Sequence, residues 1–305
     1  QPQGNRRRAG EELRAGAAAL ARGSRLDAAS LGLAASLGLA RLPLRRPLRV
    51  ACFSTGDELL SPGQPPRQGA IYDSNGASIA ALLQGLPAEV RSLGIVPDEP
   101  EQLRAALADA AAWADVVVSS GGISAGEADH TRAVLAGLGE IRFWHIAMRP
   151  GKPLAMGLLD RAALQAKPAL QARIEGSSSY QIESKAVPLL FVGLPGNPVA
   201  AMVSYLIFVR PALQRLAGET PPRSNLLLPA VSSEPLRKRP GRTEYQRAIL
   251  SMDSAGQLQV RTTGAQGSAM LSSMVQANCL LVLEHERGNV AAGELVRVLP
   301  LQGLL

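Results

Sequence analysis

Apolar residues are distributed along this chain in two distinct ways. From Leu48 onward, short runs in which most positions are apolar or β-branched (LRVACFS, AEVRSLGIV, ADVVVSS, EIRFWHIAM) are separated by longer stretches such as SNGASIAALLQGL and EPEQLRAALADAAAWA, whose apolar residues recur at helical spacing. Strands alternating with helices predict a parallel α/β sheet. Two further apolar runs, LAMGLL and VPLLFVGL, flank a polar, Ser-rich insertion at residues 160–186, which predicts a mobile excursion. After the helical run VAAMVSYLIFVRPALQRLAG and a Pro-rich TPPRSN linker, the segments TEYQRAIL, QLQVRTT, NCLLVLE and GELVRVLPL are short and alternating, with Gly-containing turns between them. They predict a small all-β domain. Residues 11–23 are expected to be helical, and a second short helix is expected before Gly38. The pattern divides the chain into an edge segment at 1–47, an α/β domain at 48–218 and a β domain at 219–305.

Composition narrows the class. At 305 residues, 46% hydrophobic and 19% charged, the chain has material for two domains with sizeable cores and is not globally disordered. Its formal net charge of +7 is local: the first 50 residues hold ten Arg against Glu11, Glu12 and Asp27, and the rest balances. With 3% aromatic residues there is little on which bases could stack, so nucleic acid is not an expected partner. Cys52 and Cys279 are too few and too distant for a disulfide framework or a closed zinc site, which fits a reducing cytoplasm. The polar start from Gln1 to Gly10 has no apolar core of a leader peptide. The uncharged stretch from Ala186 to Val209 is broken by Pro188, Gly193, Pro195, Gly196, Asn197 and Pro198. It reads as strand, turn and helix, and no membrane association is expected.

In an open parallel sheet, ligands sit beyond the carboxyl ends of the strands, so the turns there are where chemistry is sought. Ser54-Thr55-Gly56-Asp57-Glu58-Leu59 offers small residues and two carboxylates for a cation or hydroxyls, or else a helix N-cap. Ser119-Ser120-Gly121-Gly122-Ile123-Ser124-Ala125-Gly126-Glu127-Ala128-Asp129 presents successive main-chain N–H groups suited to phosphate, at neither the dinucleotide nor the P-loop spacing. Met148-Arg149-Pro150-Gly151-Lys152-Pro153 holds two cations on a Pro-stiffened loop, as an oxyanion site requires. Gly193-Leu194-Pro195-Gly196-Asn197-Pro198 links a buried strand to a helix N-terminus. Four such turns predict one crevice carrying both cations and carboxylates.

STGDEL, GAIYDSN, SSGGISAGEADHT, MRPGKP and GLPGNPV, in this order, resemble the MoeA/gephyrin family of molybdopterin molybdenumtransferases. GRTEYQR, GAQGSAMLSSMVQAN and RGNVAAGELVRV resemble that family's C-terminal β-barrel. The resemblance implies a three-layer α/β molybdopterin-binding domain followed by a small C-terminal β-barrel. It also implies a transferase that hydrolyses adenylylated molybdopterin with Mg2+ and inserts molybdate. Molybdate would be held by Arg149, Lys152, Arg242 and Ser268. Thr55, Gly56, Asp57, Asp73, Asn75, Ser120, Gly121, Gly122, Ser124, Gly126, Pro195, Gly196 and Asn197 would bind the pterin and its phosphate. Glu58, Asp98 and Asp129 would be catalytic and would hold Mg2+. Without the resemblance, Asp98 reads as an ordinary N-terminal helix acid, and Asp73, Ser74 or Asn75 as a helix cap. His145 is expected to be packed, with His130 and His285 at the surface.

The resemblance further implies a homodimer, with molybdopterin adenylyltransferase as a candidate partner. The chain also departs from the family pattern. Family members carry an N-terminal domain, interrupted by a β domain, before the motif GxNxR, which stands here as Gly4-Asn5-Arg6-Arg7-Arg8 at the start, so residues 1–47 are expected to be a remnant. Ala200 replaces a common oxyanion-contacting Ser, removing a hydrogen bond worth roughly 1 kcal/mol or more. The insertion at 160–186 is placed in the chain where it could gate the cleft. Two alternatives stand beside the transferase: a non-catalytic gephyrin-like scaffold or inactive fragment, and a molybdopterin adenylyltransferase, against which the C-terminal β domain speaks.

Overall fold

The computed structural model describes residues 8–123, 128–165, 187–221 and 225–305. Its first sheet has the order β4-β1-β5-β9-β8-β6, from β1 (Leu48–Thr55), β4 (Ala88–Val96), β5 (Val116–Ser120), β6 (Gly139–His145), β8 (Pro153–Leu159) and β9 (Leu189–Leu194). β2 (Leu59–Leu60) and β3 (Ile71–Tyr72) form a separate two-stranded ladder above the end of β1. The runs that are apolar at nearly every position are the central strands: β5 is buried throughout, and β1 at all but Arg49. Both of their faces are covered, so alternation would leave polar groups in the core.

One layer is α2 (Ser74–Gln84) and α6 (Pro198–Ala217), whose Ile79, Leu83, Val203, Leu206 and Val209 pack in one core. The other contains α3 (Pro100–Trp113), α4 (Ala128–Ala136) and α5 (Arg161–Gln165), with Leu103, Leu107, Leu135 and Leu164 in a second core. Three layers follow directly. α6 is long and apolar enough to cross a bilayer, yet its apolar residues are spent on this core. Its middle turn, Tyr205–Val209, is π-helical, with the Arg210 N–H bonding Tyr205 O. Pro211, which lacks an N–H and whose ring would meet the carbonyl four residues back, accounts for the wider turn.

The second sheet closes β10 (Leu228–Ser232), β11 (Thr243–Met252), β12 (Leu258–Thr262), β13 (Cys279–Leu283) and β14 (Leu295–Pro300) into a five-stranded barrel, β12 pairing with both β10 and β11. It includes one short helix, α7 (Leu271–Gln276). The barrel is not a bead on a linker. Its Met274, Leu280, Val282, Leu299 and Leu301 belong to the same core as α2 and α6.

Four expectations are corrected. Residues 11–23 form turns, because Gly10, Gly16 and Gly23 all adopt positive φ; the second expected helix is α1 (Ala28–Ser36), capped by Asp27. The sheet is mixed: β8 runs antiparallel to β9, and β6 to β8. EIRFWHIAM is also not one strand, since it breaks after His145 and Met148–Arg149 (β7) joins the barrel sheet, parallel to Thr243–Glu244. The chain leaves one sheet for two residues and returns, which reverses the next strand. His145 lies exposed on the edge strand rather than packed.

Residues 166–186, and with them most of the insertion, lie outside the described residues, but the antiparallel course of β8 decides where the chain enters and leaves them. β8 ends, and β9 begins, at the amino end of the parallel strands, so residue 165 and Val187 lie at the opposite end of the sheet from the turns after β1, β5 and β9. Arg161 pins both feet there: its Nε donates to Val187 O at 2.7 Å, and its two other nitrogens donate to Ala111 O and Ala114 O at the end of α3.

Candidate functional site

β1 passes to β4 on one side through α2, and the chain then crosses to β5 on the other side through α3, which makes the carboxyl ends of β1 and β5 the switch point of the sheet. The four turns singled out above meet there. Gly121 N donates to Leu194 O (3.2 Å) and Ser120 Oγ to Pro195 O (3.4 Å), joining the second turn to the fourth. Asn75, buried at the start of α2, donates through Nδ2 to both Ser120 Oγ and Gly196 O at 2.6 Å. Asp73 caps α2 by accepting from Gly76 N (2.8 Å), and accepts from Ser54 Oγ (3.0 Å). Asp73 and Asn75 therefore fix the turns relative to one another beneath the crevice. Asn75 Oδ1 is buried and has no hydrogen-bond partner among the described residues.

The strands approach so closely here that a Cβ on Gly121 would stand 2.3 Å from the main-chain O of Thr55. Asn197 caps α6 by position and makes no side-chain capping bond. Ser124 and Gly126, together with Gly4 to Arg7, fall outside the described residues. The side chains of Asp129 and His130 are likewise not described.

The acidic side of the crevice is the end of β1. Asp57 and Glu58 are exposed, and Asp57 Oδ1 accepts from Asp98 N (3.2 Å), which brings the β4–α3 turn to the same place. Burial, and then the charges of Asp57 and Glu58, push the Asp98 carboxyl above its ordinary value, opposed in part by the Thr55 hydroxyl and the Asp57 main chain. A raised carboxyl binds its proton more tightly folded than unfolded, so ionisation weakens the fold as pH rises through the raised value, and the penalty persists above it. Asp98→Asn should accordingly raise the melting temperature at pH 7 and leave it unchanged near pH 3, as thermal melts at the two pH values will check. Among the described residues no group of three His, Cys, Asp or Glu closes on a common metal position.

The basic side joins the two domains. Arg149 and Lys152 are exposed on a turn annealed to the barrel by β7, and Thr243 N donates to Ala147 O (3.0 Å). Gly151 lies against α6, where an added Cβ would be 2.4 Å from Ser204 Oγ. Ser204, one turn beyond the buried Ala200, carries a buried hydroxyl without a partner among the described residues. Ser268 reaches the site through its main chain, accepting from Val199 N (3.1 Å) in the first turn of α6.

Arg242 stands two residues before Glu244, the register partner of Arg149, and its guanidinium is tied to Glu244, at 2.9 and 3.0 Å from Oε1. Within electrostatic reach of Arg149 there is also Arg247, which sequence reasoning missed. It is 1% exposed, donates from Nε to Ser273 Oγ (3.0 Å) and from a terminal nitrogen to Gly267 O (2.9 Å), and has no carboxylate partner among the described residues. Burial, reinforced by the nearby charge of Arg149, pulls it down to about 10. One signal was available: in GRTEYQR, Arg242 has an acid two residues on, on the same face of a strand, whereas Arg247 lies on the opposite face.

A switch-point crevice with glycine turns, an acidic rim and two guanidinium groups within electrostatic reach of each other defines a class: α/β proteins that bind a phosphate-bearing ligand beside an oxyanion. Comparison with known proteins is more specific. Residues 51–215 match the probable molybdopterin binding domain and residues 229–301 the MoeA C-terminal region, its domain IV. The chain is 39% identical over its whole length to a molybdopterin molybdenumtransferase of Haemophilus influenzae, covering 69% of that protein. It is 34% identical over 84% of its length to one of Nostoc, covering 53% of it. A crystal structure of a molybdopterin biosynthesis MoeA protein from Pyrococcus horikoshii superposes with a TM-score of 0.67 at 25% identity, over 92% of this chain and 61% of that one. The chain belongs to the molybdopterin molybdenumtransferase family.

Proposed function

We propose that this chain inserts molybdenum into adenylylated molybdopterin, giving molybdenum cofactor and AMP. The observation that supports this most directly is the buried Arg247 beside Arg149 at the junction of the two domains. Two like charges, one of them desolvated, lie within electrostatic reach of each other while the nearby Glu244 is taken up by Arg242, and a dianion such as molybdate would relieve both. In this reading Arg149, Lys152, Arg247 and Ser268 hold the molybdate. Arg242, neutralised by Glu244, is left out. The Gly121–Gly122 turn receives the pterin's phosphate through the main-chain N–H of Gly122, the Gly121 N–H being held by Leu194 O, together with Thr55, Gly56, Asp57, Ser120, Ser124, Gly126, Pro195, Gly196 and Asn197. Asp73 and Asn75 fix those turns in advance, so that little reorganisation is needed on binding.

The uncompensated negative charge around Asp98 suits Mg2+, which characteristically uses one or two carboxylates and completes its shell with substrate phosphate and water. Glu58, Asp98 and Asp129 would hold it, and when bound it supplies Lewis-acid polarisation at the pyrophosphate. A homodimer is supported by the exposed Leu31, Leu37, Leu39 and Leu44 in and after α1. A cytoplasmic setting is supported by Cys52 and Cys279, both buried as free thiols. The adenylylated substrate would be supplied by a molybdopterin adenylyltransferase.

The test is release of AMP from molybdopterin-AMP by the purified chain with Mg2+ and molybdate. Release that depends on molybdate, with active cofactor formed, is the expected result. Binding without release would assign this chain the binding step alone, and neither binding nor release would favour the scaffold.

A further inference from the structure

Arg247 needs an explanation for its position as well as its charge. β12 ends at Thr262, opposite Ala248; beyond it Thr263 N still donates to Arg247 O (3.0 Å), but among the described residues no strand carbonyl accepts from Arg247 N on that side. A side chain takes its place. Gln266 accepts from Arg247 N through Oε1 (2.8 Å), as a strand carbonyl would, and its Nε2 donates to Arg247 O (3.0 Å) alongside Thr263 N. Nε2 also lies 3.3 Å from Gly264 O and 3.5 Å from Thr263 Oγ1, so the amide organises its own turn. The next two residues of that turn carry the consequences: Gly267 O accepts from the Arg247 guanidinium, and Ser268 O accepts from Val199 N in α6.

We propose that Gln266 is the positioning residue of the oxyanion site: by clamping the main chain of Arg247 it fixes both the buried guanidinium beside Arg149 and the turn that carries Ser268 against α6. The inference rests on the oxyanion reading above and assigns a role to a residue that touches no substrate. A built-in control sits on the same strand. Asn278 clamps Leu250 in the same way, accepting from Leu250 N (2.7 Å) and donating to Leu250 O (2.8 Å), three residues further from Arg149. A clamp that only stabilised the barrel would behave alike at both places.

The experiment is calorimetric titration of the full chain with inorganic molybdate, alongside thermal melts, for the unaltered protein and for Gln266→Met, Asn278→Leu and Arg247→Met. Gln266→Met keeps the volume and removes both bonds. It should weaken molybdate binding about tenfold, the size expected for a guanidinium no longer held in register, whereas Asn278→Leu should lower the melting temperature and leave binding within about twofold. Equal losses at Gln266 and Asn278, or no loss at Gln266 while Arg247→Met binds weakly, would overturn the proposal and leave the oxyanion site standing. Binding unchanged by Arg247→Met would overturn the oxyanion reading itself, and the role of Gln266 with it. Should Gln266→Met fail to fold, Gln266→Glu keeps the acceptor for Arg247 N and loses only the donor, and a loss under about threefold in that variant would also overturn the proposal.

Discussion

Arg247→Met should lower the affinity for molybdate about a hundredfold, whereas Arg242→Gln should change it by less than about twofold. The first figure follows from charge-assisted hydrogen bonds at about 1.5–3 kcal/mol each, since a hundredfold corresponds to about 2.7 kcal/mol. The second follows from the geometry of Arg242, whose charge is already matched by Glu244. The pH dependence has a definite sign. Burial pulls Arg247 down to about 10, below the ordinary guanidinium value, so at neutral pH the folded protein carries a charge it would rather lose, and this penalty lifts only as pH rises through that range. A bound oxyanion removes the penalty while the guanidinium is charged. Molybdate should therefore raise the melting temperature at pH 7, by the equivalent of about 2.7 kcal/mol at a hundred times its Kd, and lose this effect above about pH 10. Titration and melts with molybdate test both statements, and equal losses for the two arginine variants would refute the assignment of Arg247.

Gly121→Ala should destabilise the fold by about 3 kcal/mol or more and abolish phosphate binding at the same turn. Two effects add. Gly121 adopts φ of +88°, where an L side chain is strained, and its Cβ would stand 2.3 Å from a main-chain oxygen of the neighbouring strand. Thr55 O belongs to β1, paired on both sides in the middle of the sheet, and cannot move aside without shifting β4 and β5. Gly122 makes a useful contrast, because an added Cβ there meets the hydroxyls of Thr55 and Thr131 at 2.8 and 3.0 Å, and a hydroxyl can rotate away. For a domain of this size the melting temperature should fall by about 6–12 °C in Gly121→Ala, and by less in Gly122→Ala. A melt within about 2 °C of the unaltered protein would show that β1 and β5 do not approach as described.

The parts of the fold that were legible in the sequence are those decided locally. ADVVVSS could be read as a strand because its three consecutive valines are β-branched, and the SSGG and GLPGNP turns could be placed at strand ends because the apolar runs stop there. What was not legible depends on pairing across the molecule. Nothing in MRPGKP says that Met148 and Arg149 will add to the barrel, because their partners, Thr243 and Glu244, are almost a hundred residues away. The antiparallel course of β8 follows from that detour. Arg247 was missed for the same reason: it stands in the middle of β11, and the packing of α6 on the barrel shows which face of that strand is turned inward. At the N-terminus the error was local. Alanine-rich composition argued for a helix at 11–23, but glycines at positive φ end each turn before a helix can propagate.

Arg161 has a consequence for how this protein can change over time. By holding Val187 and the end of α3 together, it anchors both ends of whatever handle residues 166–186, which lie outside the described residues, make between them. Closing a flexible handle costs only about 0.6 kcal/mol more for each doubling of its length. The sheet can thus accept new sequence at its amino end while the crevice at its carboxyl end keeps its geometry. Lineages that differ greatly in the length of this handle can share one chemistry, and a reporter domain grafted there should be carried as passive cargo.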